Sequence, residues 1–414
     1  MLNPKKEPAL RFREFTGAWE QRKLQDLASI IGGGTPSTSN IEYWNGDIDW
    51  YSPTEINDQI YVWGSQKKIT QEGLKKSSAQ IHPAGTVLFT SRAGIGKTAI
   101  LGKEGSTNQG FQSILPKEKL LDSYFIFSRT HELKRYGEIS GAGSTFVEVS
   151  GKEMAQMPIL VPVIEEQQKI GQFFKVLDYN IALHQHKYKN LIQIKKALLI
   201  QLFPQERTYS PKLRLDGFTN DLGNFTLSDL VEVVRSYSLS RDVETKLDTG
   251  YRYIHYGDIH TKKADLIKSD NVLPKIKYGE YDLLKKGDVV VADASEDYIG
   301  IAEPSIIVGE PKEKMVAGLH TIALRPHKID PMYLYYLLHT NEFKKFASQV
   351  GTGMKVFGIT TKNLLSYEVL IPELEEQKRI GISLEKIDNK ISIQKRKYEK
   401  LTQIKKALLQ EMFI

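Results

Sequence analysis

The sequence predicts an α+β fold written twice: two similar mixed α/β domains joined by two long helices that pair as an antiparallel coiled coil about a pseudo-twofold axis. Three observations carry this. The segment LVPVIEEQQKIGQFFKVLDYNIALHQHKYKNLIQIKKALL at 160–199 returns as LIPELEEQKRIGISLEKIDNKISIQKRKYEKLTQIKKALL at 370–409, without a gap and identical at 19 of 40 positions. An ungapped internal match of that length marks a duplicated structural unit. Each copy also carries a heptad of apolar residues. Ahead of each copy lies a divergent region of short β-branched runs broken by glycine and proline, such as Thr86-Val87-Leu88-Phe89-Thr90, which reads as strands and turns. The segments are 1–159 and 206–369 for the two domains, 160–205 for the central helix and 370–414 for the C-terminal helix.

Each half opens alike. Leu10-Arg11 corresponds to Leu213-Arg214, Phe15-Thr16 to Phe218-Thr219, and Leu24, Asp26 and Leu27 to Leu227, Asp229 and Leu230. Near the helices Glu132, Gly141, Gly143 and Lys152 match Glu342, Gly351, Gly353 and Lys362; the glycines are expected to form a tight turn. Between these anchors the halves diverge.

The helices follow from spacing. Ile170, Phe174, Leu177, Ile181, Tyr188, Leu191 and Leu198 fall at intervals of three, four and seven, as do Ile380, Leu384, Ile387, Ile391, Tyr398, Leu401 and Leu408. Such a stripe needs a partner, and each copy is the other's natural one. Pro162 and Pro372, each followed three residues later by Glu-Glu-Gln, suit helix starts with acids in the first turn. His184 and Gln394 share one stripe position, where a polar layer could set register or a solvated gap could lie. His184 and His186 fall on different helix faces, so a metal pair is not expected.

Bulk properties narrow the function classes. The chain has 414 residues, 57 basic against 50 acidic, net charge +7 and pI near 9.0, compatible with a polyanionic partner. There is no cysteine, which excludes disulfides and thiolate metal sites and points to a reducing cytoplasm. No apolar run approaches the ~18 residues of a membrane span. Met1–Lys6 lacks the apolar core of a leader.

SRAGIGKTAI at 91–100 raises nucleotide binding, because Gly96-Lys97-Thr98 resembles the end of a P-loop. Ser91 stands where that motif needs its first glycine, and Gly102 interrupts the helix that should follow. Val87-Leu88-Phe89 corresponds to Val289-Val290-Val291, and Ile95-Gly96 to Ile299-Gly300; Lys-Thr is not repeated. The glycine turn therefore reads as structural. No amino-methyltransferase Asn/Asp-Pro-Pro-aromatic, Rossmann, G-x-S-x-G, HExxH or nuclease pattern occurs, which favours a binding protein.

The layout resembles the specificity subunit of type I restriction-modification systems. Pro162–Gln167 and Pro372–Gln377 look like its Pro-x-x-Glu-Glu-Gln helix start, GDIDWYSPTEI at 46–56 like its Gly-Asp-Ile-x-Trp segment, and SRAGIG at 91–96 like its Ser-Arg-Ala-x-Ile-Gly segment. Tyr253–Ile259 is a looser match, and the second half lacks Ser-Arg-Ala. The resemblance implies a non-catalytic subunit of a restriction endonuclease and adenine methyltransferase complex. Each target recognition domain would read half of a bipartite double-stranded DNA site. The helices would set the gap and dock two modification subunits, and two restriction subunits would join. S-adenosylmethionine, ATP and Mg would belong to those partners, with none bound by this chain. Within that reading the candidate DNA contacts are Lys67, Lys68, Lys75, Lys76, Arg92, Lys97, Asn108, Gln109 and Gln112 in the first domain. In the second they are Arg235, Arg241, Lys246, Arg252, Lys262, Lys263 and His320, the last aligned with Gln112. Each also has the ordinary reading of a solvated surface side chain. The rival reading of the whole chain is a coiled-coil scaffold with two ligand-binding domains not specific for DNA.

Overall fold

The computed structural model describes residues 7–92, 94–141, 148–205, 210–269, 272–296, 300–353 and 357–413. Gly143 and Ile299, named above, lie outside them. The chain forms two compact units, residues 1–184 with 397–414, and residues 185–396. Their borders fall inside the long helices, at 184/185 and 396/397, because each helix end packs on a globular region. The four sequence segments and the two compact units thus divide the chain by different criteria.

In the first unit, β1 (Glu20–Lys23) pairs with β10 (Pro158–Val161), which leads into the central helix. A five-stranded sheet has the order β2 (Ala28–Gly32), β9 (Gln112–Pro116), β6 (Val87–Phe89), β7 (Thr98–Leu101), β4 (Tyr61–Val62). A second sheet joins β5 (Lys67–Ile69), β3 (Trp44–Tyr51) and β8 (Ser106–Thr107). Strand β6 is buried on both faces, which explains its unbroken Val-Leu-Phe run. Its shorter helices include α1 (Gln71–Lys75), α2 (Ser123–Ser128) and α3 (Thr130–Gly141). The long α4 spans Ile164–Gln201.

The second unit repeats this plan. Its five-stranded sheet has the order β12 (Val231–Val234), β19 (Thr321–Pro326), β15 (Val289–Ala292), β17 (Pro304–Ile307), β14 (Leu266–Ile267). Strands β13 (Tyr251–Ile254) and β18 (Lys314–Ala317) pair in parallel, as β3 and β8 do. Strand β11 (Gly223–Thr226) pairs with β21 (Glu368–Ile371), and β16 (Ala294–Ser295) with β20 (Phe357–Gly358). Helices α5 (Tyr256–His260), α6 (Pro331–Leu337) and α7 (Asn341–Val350) precede the long α8, Leu374–Met412. Gly141 ends α3, and Gly351 caps α7 with Gly353 at φ 133°.

Within each unit the two helices run antiparallel. In the first, Ile170 and Phe174 are buried in one core with Met412 and Phe413, with Leu177 and Leu408 packed against it. In the second, Ile380 and Leu384 are buried with Leu202 and Phe203, with Leu198 packed against them. Ile181, Tyr188, Leu191, Ile387, Ile391, Tyr398 and Leu401 are half-buried, as one stripe on a two-helix seam would be.

The repeated Glu-Glu-Gln is an anchor. Glu166 is fully buried and accepts from Arg11 Nε at 2.8 Å and Nη2 at 2.7 Å. Glu376 likewise accepts from Arg214 at 2.9 and 2.6 Å. Gln167 donates to Pro162 O and accepts from Asp122 N–H; Gln377 does the same with Pro372 O and Asp330 N–H. The arginine that opens each half therefore locks onto the helix start that closes it. A buried carboxylate held by a forked guanidinium has geometry that Lys could not reproduce.

Candidate nucleic-acid interface

The glycine turn of SRAGIGKTAI joins two antiparallel strands, β6 and β7, and not a strand to a helix. Thr90 organises it: its N–H donates to Lys97 O, its Oγ1 donates to Gly94 O at 2.8 Å, and it accepts from Lys97 N–H at 3.0 Å. Gly94 and Gly96 have φ of 105° and 93°. The turn leads from strand to strand, so the strand–loop–helix order of a P-loop is not met.

A loop cluster gathers beside this turn. Ser91 N–H donates to Gly110 O, and Asn108 N–H to Tyr51 O. Asn108 Oδ1 accepts from Gly110 N–H at 2.8 Å, closing an Asx-type turn. A Cβ on Gly110 would lie 2.8 Å from Pro53 and 3.5 Å from Arg92 Nε, so the three segments touch. Thr35 Oγ1 bonds Gln109 Oε1. The segments 33–35, 52–54, 91–92 and 108–110 thus form one polar rim carrying half-buried Arg92, half-buried Asn108 and exposed Gln109. Thr35, Ser52 and Thr54 were absent from the sequence candidates.

The other first-domain candidates lie around that rim. Lys67 and Lys68 are on edge strand β5. Lys67 sits over the Trp44 ring at 5.9 Å, and Lys68 is 3.9 Å from buried Asp49. Burial pushes the Asp49 carboxyl up, but hydrogen bonds from Lys103 and Ser65 outweigh it and hold it below its usual value. Lys75 and Lys76 end α1, exposed, and Lys97 is exposed on the turn. Gln112 begins β9, opposite Gly32, in a cleft with Lys117 and Lys152 and not on the rim.

Strand pairing supplies the register between the halves that sequence spacing lacked. Val149 N–H donates to Ser91 O and Ile359 N–H to Asp293 O, so Ser91 corresponds to Asp293. Asp293 N–H donates to His320 O as Ser91 N–H does to Gly110 O. His320 therefore corresponds to Gly110, and Gln112 to Ile322. The expected match of Ile95-Gly96 with Ile299-Gly300 moves too. Gly96 N–H donates to Thr90 O and Ala302 N–H to Ala292 O, so the partners are Ile301-Ala302. Ile95 and Ile301 are both buried, and Ala302 keeps the left-handed backbone at φ 56°. The second half retains the turn without its glycine, and Lys97 is replaced by Glu303.

The second-domain rim is built from different side chains. The matching parallel strand pairs set Trp50–Ile56 in register with Tyr253–Ile259, which places Tyr256 at Pro53. His320 Nδ1 is 3.1 Å from Asp293 Oδ1, and its ring lies edge-on to Tyr256 at 5.3 Å. Tyr256 also contacts His255 and His260, and His260 Nε2 reaches Ala294 O at 2.8 Å. Burial holds the Asp293 carboxyl above its usual value despite His320. Burial, then Arg241, depresses the His255 imidazole. Tyr256, His260 and Asp293 were absent from the sequence candidates; only strand register places them at the rim.

Several second-domain candidates are internally engaged. Arg252 is 8% exposed, bonded to Glu313 at 2.8 Å and to Leu273 O, so it is withdrawn as a DNA contact. It lies on β13, whose residues are all buried. Arg241 grips buried Asp258 with both terminal nitrogens at 3.1 Å and Glu244 at 2.7 Å. Lys262 bonds Glu303 and lies 3.5 Å from Asp265; Lys263 is 3.8 Å from Asp258. Arg235 is exposed, 5.1 Å over the Tyr237 ring, and Lys246 is exposed. Among the described residues no cluster of three or more metal-ligating side chains occurs, and no helix is long and apolar enough to cross a membrane.

The type I restriction modification DNA specificity domain profile matches the chain twice, at residues 17–193 and 220–403. The type I restriction enzyme MjaIX specificity subunit of Methanocaldococcus jannaschii is 37% identical over 188 residues, 45% of this chain and 43% of that one. The MjaVIII specificity subunit of the same organism is 24% identical over 415 residues, 94% of this chain and 91% of that one. The S subunit of a type I restriction-modification system from M. genitalium has the same fold, with a TM-score of 0.62 over 99% of both chains at 14% identity. With two matched domains spanning most of its length, the chain belongs to the type I restriction-modification DNA specificity family.

Proposed function

We propose that each unit reads one half of a bipartite double-stranded DNA target with its polar rim, and that the paired helices hold the two readers at one spacing. The observation that carries this is the contrast between the rims. The same loops, on the same strand order, bear Arg92, Asn108 and Gln109 in one unit and Tyr256, Asp293 and His320 in the other. Constant scaffolds with divergent polar loops suit two different base sequences. Guanidinium and amide groups pair with the major-groove edges of guanine and adenine, and carboxylates accept from cytosine. Lys67, Lys68, Lys75, Lys76, Lys97, Arg235 and Lys246 would grip phosphates and orient each domain.

The chain would supply address and no catalysis. Two modification subunits would dock around the helices, bringing S-adenosylmethionine and the adenine-methylating site. Restriction subunits would bring ATP- and Mg-dependent cleavage. The setting would be cytoplasmic. The test is selection of random duplexes by the chain complexed with its modification subunit, at two salt concentrations. Two short conserved blocks at a fixed spacing, bound more weakly as salt rises, are expected. Enrichment of no sequence by an intact complex would favour the scaffold reading.

A further inference from the structure

Lysine interrupts the apolar stripe of each long helix at one repeated position, Lys195 and Lys405. Lys405 Nζ lies 2.6 Å from Asp178 on α4 in the first unit, and Lys195 Nζ lies 2.7 Å from Asp388 on α8 in the second. The pairs are reciprocal: each helix supplies the acid of one and the base of the other. Each carboxylate also accepts a tyrosine hydroxyl from its globular region, Tyr124 at 2.9 Å and Tyr336 at 2.7 Å. Each aspartate is thus a junction of two helices and a domain.

The tyrosines are not at equivalent positions. Gly171 and Gly381 pack on the starts of α2 and α6, where Asp122 and Asp330 are the N-caps. Tyr124 follows its cap by two residues and Tyr336 by six, one helical turn further. Both hydroxyls still reach the repeated aspartate. The junction is kept although the residue that completes it has moved.

An apolar heptad alone tolerates sliding, because a seven-residue slip re-forms the same stripe. A polar pair at one layer removes that degeneracy, at some cost in stability. We propose that Asp178 and Asp388 are positioning residues that fix the helix register and the seat of each domain on it, and so set a single spacing between the two half-sites. This deepens the DNA-reading proposal and rests on it.

The test measures affinities, with the modification subunits present, for duplexes carrying the selected half-sites at the native gap and at gaps one base pair shorter and longer. Wild type prefers the native gap. Asp388→Asn, and the stronger Asp388→Lys, are expected to lower that preference at least tenfold while both half-sites are still read. Exchange of the pair, Asp388→Lys with Lys195→Asp, restores it. A merely structural role would weaken all three duplexes together and leave the ratio unchanged, which would overturn the proposal. If Asp388→Lys does not fold, the Asp388→Asn ratio decides. A wild type with no bipartite preference would instead refute the DNA-reading proposal itself.

Discussion

Phe413→Ala tests how the C-terminal helix is held to the first unit. Phe413 is 7% exposed, with ring centroids 6.3 Å from Trp19, 5.4 Å from Phe125 and 5.8 Å from Phe174. The Arg129 guanidinium stacks over it at 5.6 Å. Removing a buried phenyl ring costs about 3–5 kcal/mol, the lower end where the site can collapse. A position near a helix end can collapse in part, so about 3 kcal/mol is expected. All four tryptophans, 19, 44, 50 and 63, lie in the first unit, so their fluorescence reports its unfolding. With a urea slope of about 2 kcal/mol/M, the midpoint should fall by roughly 1.5 M. Phe203→Ala removes the matching ring, stacked on Tyr333 at 4.8 Å in the second unit, and should shift the tryptophan transition less. A Phe413→Ala midpoint within about 0.3 M of wild type would refute the packing argument.

Three further outcomes follow. Arg92→Ala with Gln109→Ala should relax one half-site by about 1–3 kcal/mol per bidentate base pairing removed and leave the other unchanged, read by duplex selection. Lys75→Ala with Lys76→Ala should keep the target sequence but flatten the plot of log affinity against log salt by about 0.9 for each phosphate no longer neutralised. In the second unit, burial pushes the Glu303 carboxyl up, but His339, Lys262 and Lys344 outweigh it and hold it well below its usual value. A depressed carboxylate contributes stability above its unfolded pKa, about 4.3, and loses it as pH falls below that. Glu303→Gln should therefore melt below wild type at pH 7, with the difference shrinking under about pH 4 by circular dichroism.

The repeat made the helices legible, because 40 ungapped positions leave no doubt of register. It also showed both ends of the Arg11–Glu166 anchor. Their meeting was hidden, since 155 residues separate them and no local spacing encodes it. The variable regions were least legible. Insertions between Phe89 and Thr98 shift the halves by four residues, and a glycine-based alignment passed over Ala302, an alanine in left-handed backbone. Arg252 read as a DNA cation because sequence cannot reveal Glu313 beside it. At His184 and Gln394 stripe counting offered a polar layer or a solvated gap, but it gave no sign of the ion pairs of Lys195 with Asp388 and Lys405 with Asp178. Aspartate lies off the apolar heptad, so stripe counting passes over it.

The most direct measurement is a methylation map. The chain would be expressed with a cognate modification subunit in a methylation-free host, and the genome read by a modification-sensitive long-read method. The account predicts one bipartite motif, two short half-sites around a single gap, with methyladenine in each. No new methylation from a complex shown to assemble, or methylation at unrelated sequences, would contradict it.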